Sequence, residues 1–113
     1  MVGLITAVLL GGAAIGLLSL FWKEICNFLN RAMEKVRQIV RGIVMGARIF
    51  LKKMWEGVQE ISKNYSYDQT SKQWEETIVR RTVSESEVPA DILAKVGSNE
   101  TDVTRELEMQ LSA

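Results

Sequence analysis

Few side chains in this sequence have the type and spacing that catalysis or metal binding requires. The 113 residues contain no histidine and a single cysteine, Cys26, which excludes the usual zinc ligand sets and histidine-dependent acid–base chemistry. The adjacent carboxylates of Glu75 and Glu76 would point to opposite sides of a strand, so they cannot act together on one substrate. No phosphate-binding glycine loop is present. We therefore predict no enzyme activity, no catalytic residues, no metal and no cofactor.

The amino-terminal stretch gives the strongest structural signal. Residues 2–22 carry no charged side chain, and a helix of this length spans roughly 31 Å, close to the thickness of a bilayer's hydrocarbon core. We predict a transmembrane helix over residues 1–22. Two alternatives stay open, an apolar helix at the centre of an oligomer and a cleaved signal peptide, although the stretch lacks a basic beginning and a small-residue cleavage site.

Basic residues are distributed unevenly about this stretch. None precedes it and several follow within about 20 residues, so the positive-inside rule predicts a single-pass protein of the cell membrane with an external amino terminus and a cytoplasmic carboxyl-terminal part. Aromatic and basic side chains at the inner boundary would contact membrane lipid. The predicted membrane-interface residues are Phe21, Trp22, Lys23, Arg31, Lys35, Arg37 and Arg41.

Two glycine pairs have the G-x-x-x-G spacing that lets helix backbones approach closely. Gly12 and Gly16 lie in the predicted span, and Gly42 and Gly46 lie in the segment that follows. We predict that these glycines are helix-packing positions and that the chain forms a homo-oligomer. The alternative is that the glycines only allow the helices to bend.

Residues 23–63 show the clearest periodicity in the chain. Apolar residues recur at an average spacing of about 3.6, which predicts one long basic amphipathic helix whose stripe packs on protein or on lipid. Glutamates interrupt its basic face and no nucleic-acid-binding motif is present, so we predict no nucleic-acid partner. The stripe consists of Ile25, Leu29, Ala32, Val36, Ile39, Ile43, Ala47, Phe50, Met54, Val58 and Ile61.

The remaining residues have a different character. Residues 64–84 are rich in aromatic and β-branched side chains around a polar connection, which predicts a β-hairpin. Residues 85–113 combine helix start and stop signals with seven acidic and two basic residues, which predicts an acidic tail of short helices. Apolar side chains of both segments would contact a cytoplasmic protein partner. These predicted partner-binding residues are Trp74, Ile78, Leu107 and Leu111.

Together these elements predict a mainly α fold with one transmembrane helix. The basic segment and the acidic tail could attract each other, within one chain or between copies. The predicted function is that of a non-enzymatic single-pass membrane protein that self-associates and serves as a structural or adaptor subunit. The alternative is a holin-like or effector protein that permeabilises the membrane, but Thr6 and Ser19 are the only hydroxyl groups available in the span to line a pore.

Overall fold

The chain folds as a long helix followed by an antiparallel sheet and short carboxyl-terminal helices. This computed structural model describes residues 4–6, 15 and 18–112. The helices named here are α1 (Leu20–Ile39), α2 (Ala90–Leu93) and α3 (Thr104–Leu111). The strands are β1 (Ile43–Met54), β2 (Gly57–Asp68), β3 (Gln73–Val83) and β4 (Thr101–Asp102), and a 3-10 turn covers Glu85–Glu87.

The four strands have the order β3-β2-β1-β4. Hairpins join β1 to β2 and β2 to β3, and both pairs stay in antiparallel register along most of their length. The outer edge of β1 is covered by β4, by a backbone bridge from Ile5 to Ala47, and by a hydrogen bond from Lys53 N–H to the Gly97 carbonyl. At the opposite edge, no strand of the described residues pairs with the outer side of β3.

Helix α1 packs across one face of the sheet, called here the helix side. Its apolar stripe meets Ala47, Ile49 and Leu51 of β1, which share a face because successive strand residues point to opposite sides. Each large side chain buried in this way contributes about 1.5–3 kcal/mol of hydrophobic stabilisation. The buried residues of α1 are Phe21, Trp22, Ile25, Cys26, Phe28, Leu29, Ala32, Met33 and Val36.

The prediction of one helix over residues 23–63 is wrong, because the chain is helical only to Ile39 and forms β1 and β2 from Ile43 to Asp68. The fold is therefore α+β and not mainly α. The 3.6-residue periodicity of the apolar residues wrongly indicated a helix beyond Ile39, because both faces of β1 and β2 carry apolar side chains. By register, Ala47 and Val58 lie on the helix side, whereas Phe50 and Ile61 lie opposite each other on the other face.

The helix ends where its sequence stops favouring helical backbone. Val40, Ile43 and Val44 are β-branched, and such residues lose side-chain freedom in a helix and pack well in strands. Gly42 lies in the bend between α1 and β1, and a Cβ atom there would lie 2.6 Å from the carbonyl carbon of Tyr67. The bend thus depends on a glycine at the point where the chain passes close to the end of β2.

No helix of the described part is long and apolar enough to cross a membrane. This finding contradicts the predicted fold with a transmembrane helix over residues 1–22, the single-pass membrane localisation, and the membrane-bound adaptor and holin-like functions. Residues 1–3, 7–14 and 16–17 of that stretch lie outside the described residues. Ile5 is extended, since its N–H donates to the Ala47 carbonyl at 2.7 Å and its carbonyl accepts from the Ala47 N–H at 2.9 Å. Gly12 and Gly16 lie outside the described residues.

Candidate functional site

The face of the sheet opposite α1, called here the open face, brings together residues from all three long strands. By register, Tyr65 on β2 lies beside Gly46 on β1 and Glu76 on β3, and Tyr67 lies beside Trp74. The rings of Tyr67 and Trp74 have centroids 5.2 Å apart and are inclined by 54°. This end of the open face is therefore an aromatic surface built by strand pairing.

Two adjoining depressions occupy this end of the open face, and we call them together the aromatic cleft. Each has a volume of about 380 Å³, and the indole of Trp74 forms a wall of both. Trp74 is 51% exposed and Ile43 is 62% exposed, although large apolar side chains of this kind are usually buried. The cleft is lined by Leu4, Ile43, Met45, Arg48, Tyr65, Tyr67, Gln69 and Trp74.

A β-bulge shapes the cleft from the side of β1. The register between β1 and β2 shifts between Val44 and Gly46, which leaves Met45 as the extra residue. Bulges of this kind bend a strand and redirect its side chains. A Cβ atom at Gly46 would lie 3.0 Å from the carbonyl oxygen of Ile5 and 3.1 Å from Cβ of Leu4, so glycine allows the amino-terminal segment to form one wall.

Tyr65 supplies a polar group to the cleft. Burial raises the pKa of its hydroxyl above the ordinary tyrosine value, and a hydrogen bond with Glu76 raises this pKa further. The hydroxyl therefore stays protonated and acts as a hydrogen-bond donor throughout the physiological pH range. The cleft thus combines apolar walls with one phenol and one guanidinium, that of Arg48.

Cations of the open face pair with carboxylates from the carboxyl-terminal segment. Arg48 lies 3.7 Å from Asp102, and Lys63 donates to Glu100 at 2.7 Å while its ammonium lies 4.3 Å from the centre of the Phe50 ring. The hydrogen bond and charge of Lys63 hold the pKa of Glu100 below its ordinary value. The attraction between the basic segment and the acidic tail therefore operates within one chain.

A second cleft lies at the other end of the sheet, on the helix side. Glu60 on β2 is 1% exposed, and Arg81, its paired residue on β3, donates from Nε to its carboxylate. Arg81 also donates from Nη2 to the Glu24 carbonyl at 3.0 Å and lies 4.8 Å from the centre of the Phe28 ring. These contacts fix the guanidinium between the sheet and α1.

Burial raises the pKa of Glu60 above its ordinary value, although Arg81 acts in the opposite direction. A carboxyl group of this kind in a cleft is a candidate proton donor. Here the carboxyl group is engaged by Arg81, whose other contacts hold α1 against the sheet, so the arrangement supports a structural role for the Glu60–Arg81 pair. In the part of the chain that the structure describes, no three acidic or cysteine side chains cluster as metal ligands would.

The structure separates the predicted site residues into surface and core positions. Phe21 and Trp22 are core residues, so they are not membrane-interface residues, and Lys23 is half-buried. Gly42 and Gly46 lie in a bend and in β1, so neither is a helix-packing position. The remaining four predicted membrane-interface residues are exposed on α1 or just after it, namely Arg31, Lys35, Arg37 and Arg41.

The predicted partner-binding residues do not form one surface. Trp74 and Ile78 lie on the open face of β3, with 51% and 37% of their surfaces exposed. Leu107 is fully buried and therefore cannot contact a partner in this fold, whereas Leu111 is half-buried and packs against the core. The side chains of Leu107 and Leu111 pack towards the protein's own interior.

Sequence reasoning did not identify Arg48, Tyr65 or Met45 as residues of a site. They come from positions that are distant along the chain, and only the register of β1 with β2 brings them beside Trp74. Aromatic side chains at alternate positions, Tyr65 and Tyr67, were the available signal, because alternate strand residues share a face.

Comparison of the chain with protein-family models, curated proteins and solved structures found no significant match. The function of the chain is therefore inferred from its own geometry.

Proposed function

We propose that this chain is a non-enzymatic protein-binding module whose recognition site is the aromatic cleft. The occupant is an apolar side chain of a partner protein, with a neighbouring carboxylate of that partner facing Arg48. The observation that carries the proposal is the position of a half-exposed Trp74 as the shared wall of two adjoining apolar depressions.

The composition of the aromatic cleft supports this proposal. Tryptophan, tyrosine, methionine and arginine are enriched in protein interfaces, and tryptophan, tyrosine and arginine dominate the residues whose removal weakens binding most. The cleft contains all four types within a small area, since Met45, Arg48, Tyr65 and Trp74 all line it. Large aromatic anchors of this kind bury much apolar area at a low cost in side-chain entropy.

The charge at the cleft supports an acidic partner. Arg48 is the one cation among the lining residues named above, and its pairing partner Asp102 lies 3.7 Å away. The side chains of both are more than one third exposed, and an exposed pair of this kind contributes about 0–1 kcal/mol. A carboxylate of a partner can therefore displace Asp102 from Arg48, or bind Arg48 together with Asp102, at little cost in free energy.

A fluorescent probe with the same chemistry tests the site directly. Anilinonaphthalene sulfonate joins flat apolar rings to an anion, and we expect it to bind the folded full-length chain at the aromatic cleft. Trp74→Ala should weaken its binding by roughly 10-fold or more, as for a central interface residue. Trp55→Ala is the matched control, because Trp55 is fully exposed in the turn between β1 and β2. Equal affinity of both variants would contradict the site.

Selection from a displayed peptide library tests the class of partner. We expect the full-length chain to enrich peptides in which an aromatic or aliphatic residue neighbours aspartate or glutamate. These peptides should lose binding to the Trp74→Ala variant and weaken with Arg48→Gln, while Trp55→Ala retains them. Enriched peptides without acidic residues, or peptides indifferent to Trp74, would refute the proposed partner chemistry.

A further inference from the structure

We infer that two copies of this chain associate through the outer edge of β3, as an antiparallel pair related by a twofold axis at Ile78. This goes beyond the aromatic cleft, because it concerns a different surface and a different partner, namely a second copy of the same chain. The inference rests on three observations about β3: its uncovered edge, the direction of its backbone groups and the order of its charges.

The outer edge of β3 is long, and no strand of the described residues covers it. The strand runs for 11 residues without a proline, and its side chains are exposed or half-buried along its whole length. Proteins commonly protect edge strands with charged side chains, proline, a bulge, a covering segment or a very short strand. Of these devices, the described residues give β3 only charged side chains, namely Glu75, Glu76, Arg80 and Arg81. The other edge of this sheet has such cover, since Ile5 and β4 both pair with β1. Within the described residues, nothing equivalent pairs with β3.

The backbone groups of β3 that face outwards can be identified from its contacts with β2. Asn64 Nδ2 donates to the Thr77 carbonyl at 3.1 Å, and a Cβ atom at Gly57 would overlap the Val83 carbonyl oxygen, so both carbonyls point towards β2. Residues two apart in a strand direct their backbone groups the same way. The N–H and carbonyl groups of the alternate set therefore face outwards, and this set is Trp74, Glu76, Ile78, Arg80 and Thr82.

The charges of β3 are symmetric about Ile78 with opposite sign. Glu75 and Glu76 precede it at the same distances at which Arg81 and Arg80 follow it. In an antiparallel pair centred on Ile78, Glu76 of one copy lies opposite Arg80 of the second copy, and Ile78 lies opposite Ile78. All outward-facing residues then meet each other as hydrogen-bonded pairs, as an antiparallel ladder requires. The sequence of one edge is thus complementary to itself.

Other registers lose this match. Centring the pair on Arg80 or on Glu76 places like charges directly opposite each other, which is destabilising. Centring it on Thr77 or Val79 leaves the charged residues opposite uncharged ones. Charge therefore selects a single register, and because that register is twofold symmetric it gives a closed dimer.

The Glu76–Arg80 pairs carry this selection more than the Glu75–Arg81 pairs. Arg81 is already bonded to the buried Glu60. The side chain of Arg80 is 46% exposed, and its distance to Glu100 is long, at 3.9 Å. Its guanidinium is therefore free to bind a carboxylate of the second copy as well. Ile78 is 37% exposed, and pairing would cover it with its own symmetry mate. In the dimer both aromatic clefts lie on the same face of one continuous sheet.

Charge reversal with rescue tests the pairing. We expect sedimentation of the full-length chain to give about 25 kDa, twice the mass of 12.7 kDa for one copy. Glu76→Arg and Arg80→Glu should each weaken association by roughly 10- to 100-fold, because attractive pairs become repulsive at two symmetric positions. The double variant should restore the dimer. Glu56→Arg, in an exposed turn, is the control and should leave the mass unchanged.

Disulfide trapping tests the register independently. Paired Cα atoms at Ile78 would lie about 5.5 Å apart, within disulfide range, whereas two Thr82 residues would lie about 27 Å apart. Ile78→Cys should therefore cross-link on oxidation and Thr82→Cys should not, with the unmodified chain as control because its Cys26 is buried. A monomer of 12.7 kDa at high concentration, failed rescue by the double variant, or equal cross-linking at both positions would overturn the proposal.

Discussion

Arg81 on β3 donates to the carboxylate of Glu60, the residue directly opposite it on β2, and Glu60 is almost completely buried. Burial raises the pKa of Glu60, so the folded state favours the protonated form more than the unfolded chain does. The protonated carboxyl group of Glu60 therefore contributes to the stability of the folded state. This contribution is fully present below the ordinary glutamate pKa of about 4.3 and is lost as pH rises through the higher pKa of Glu60 in the folded state.

We therefore predict that Glu60→Gln removes a decline in stability with rising pH. The difference in unfolding free energy between Glu60→Gln and the unmodified chain should grow in favour of the variant as pH rises above about 4.3. Urea unfolding at a series of pH values from 4 to 8 measures this difference. Glu56→Gln should show no such trend, because Glu56 is exposed. A constant difference for Glu60→Gln would contradict the raised pKa.

Replacement of Arg81 should destabilise the folded protein, in contrast to the replacement of Glu60 by glutamine. Arg81→Ala leaves Glu60 buried without its partner, and breaking a buried pair in this way destabilises by about 3–5 kcal/mol. Thermal or urea unfolding measures the loss. Arg37→Ala is the comparison, because its pair with Glu34 at 3.0 Å lies on the exposed surface of α1 and contributes about 0.5 kcal/mol. Similar losses for both variants would argue against a structural role for the Glu60–Arg81 pair.

The thiol of Cys26 should be unreactive in the folded protein. Burial against the helix side of the sheet raises its pKa to about 11, so very little thiolate is present at pH 8. We expect alkylation by iodoacetamide to be slow in buffer and to accelerate by about 100-fold or more in urea, where the ordinary pKa of about 8.5 returns. Mass spectrometry follows the reaction. Equal rates in both conditions would show that the thiol is accessible in the folded state.

Gly57 should be the least tolerant of the glycines near the hairpins. A Cβ atom at this position would overlap the backbone carbonyl oxygen of Val83, so Gly57→Ala must push β2 and β3 apart. We expect a loss of about 1–3 kcal/mol, similar to other overpacked positions. Gly97→Ala is the matched control, since no atom lies within 4 Å of its added Cβ. Differential scanning calorimetry of the two variants distinguishes them, and equal melting temperatures would refute the close approach.

Local sequence patterns identified part of this fold. The stripe of Ile25, Leu29, Ala32 and Val36 indicated a helix with one apolar face, and all four residues are buried on α1. Beyond Ile39 the same periodicity continued by coincidence, because the two strands that follow carry apolar residues on both faces. Strand pairing depends on contacts between distant residues, and spacing within one segment does not contain that information.

The candidate site was predictable only in part for the same reason. Trp74 and Ile78 were predicted to bind a partner and are exposed on the open face, where partner binding stays a prediction. Leu107 looked equivalent in the sequence, yet β4 and α3 bring it into the core. The role of Arg48 as the cation of the aromatic cleft follows from the bulge at Met45 and from the register of β1 with β2.

Two segments that are far apart in the sequence lie along the same strand edge, because Ile5 and Thr101–Asp102 both pair with β1. Among the sheet edges of the described residues, that of β3 has no paired strand, and the symmetric pairing proposed above would cover it. If both segments were removed, β1 would become a second template, and copies could add in succession to form a fibre. In the proposed dimer, the two segments that cover β1 would thus limit association to a closed pair.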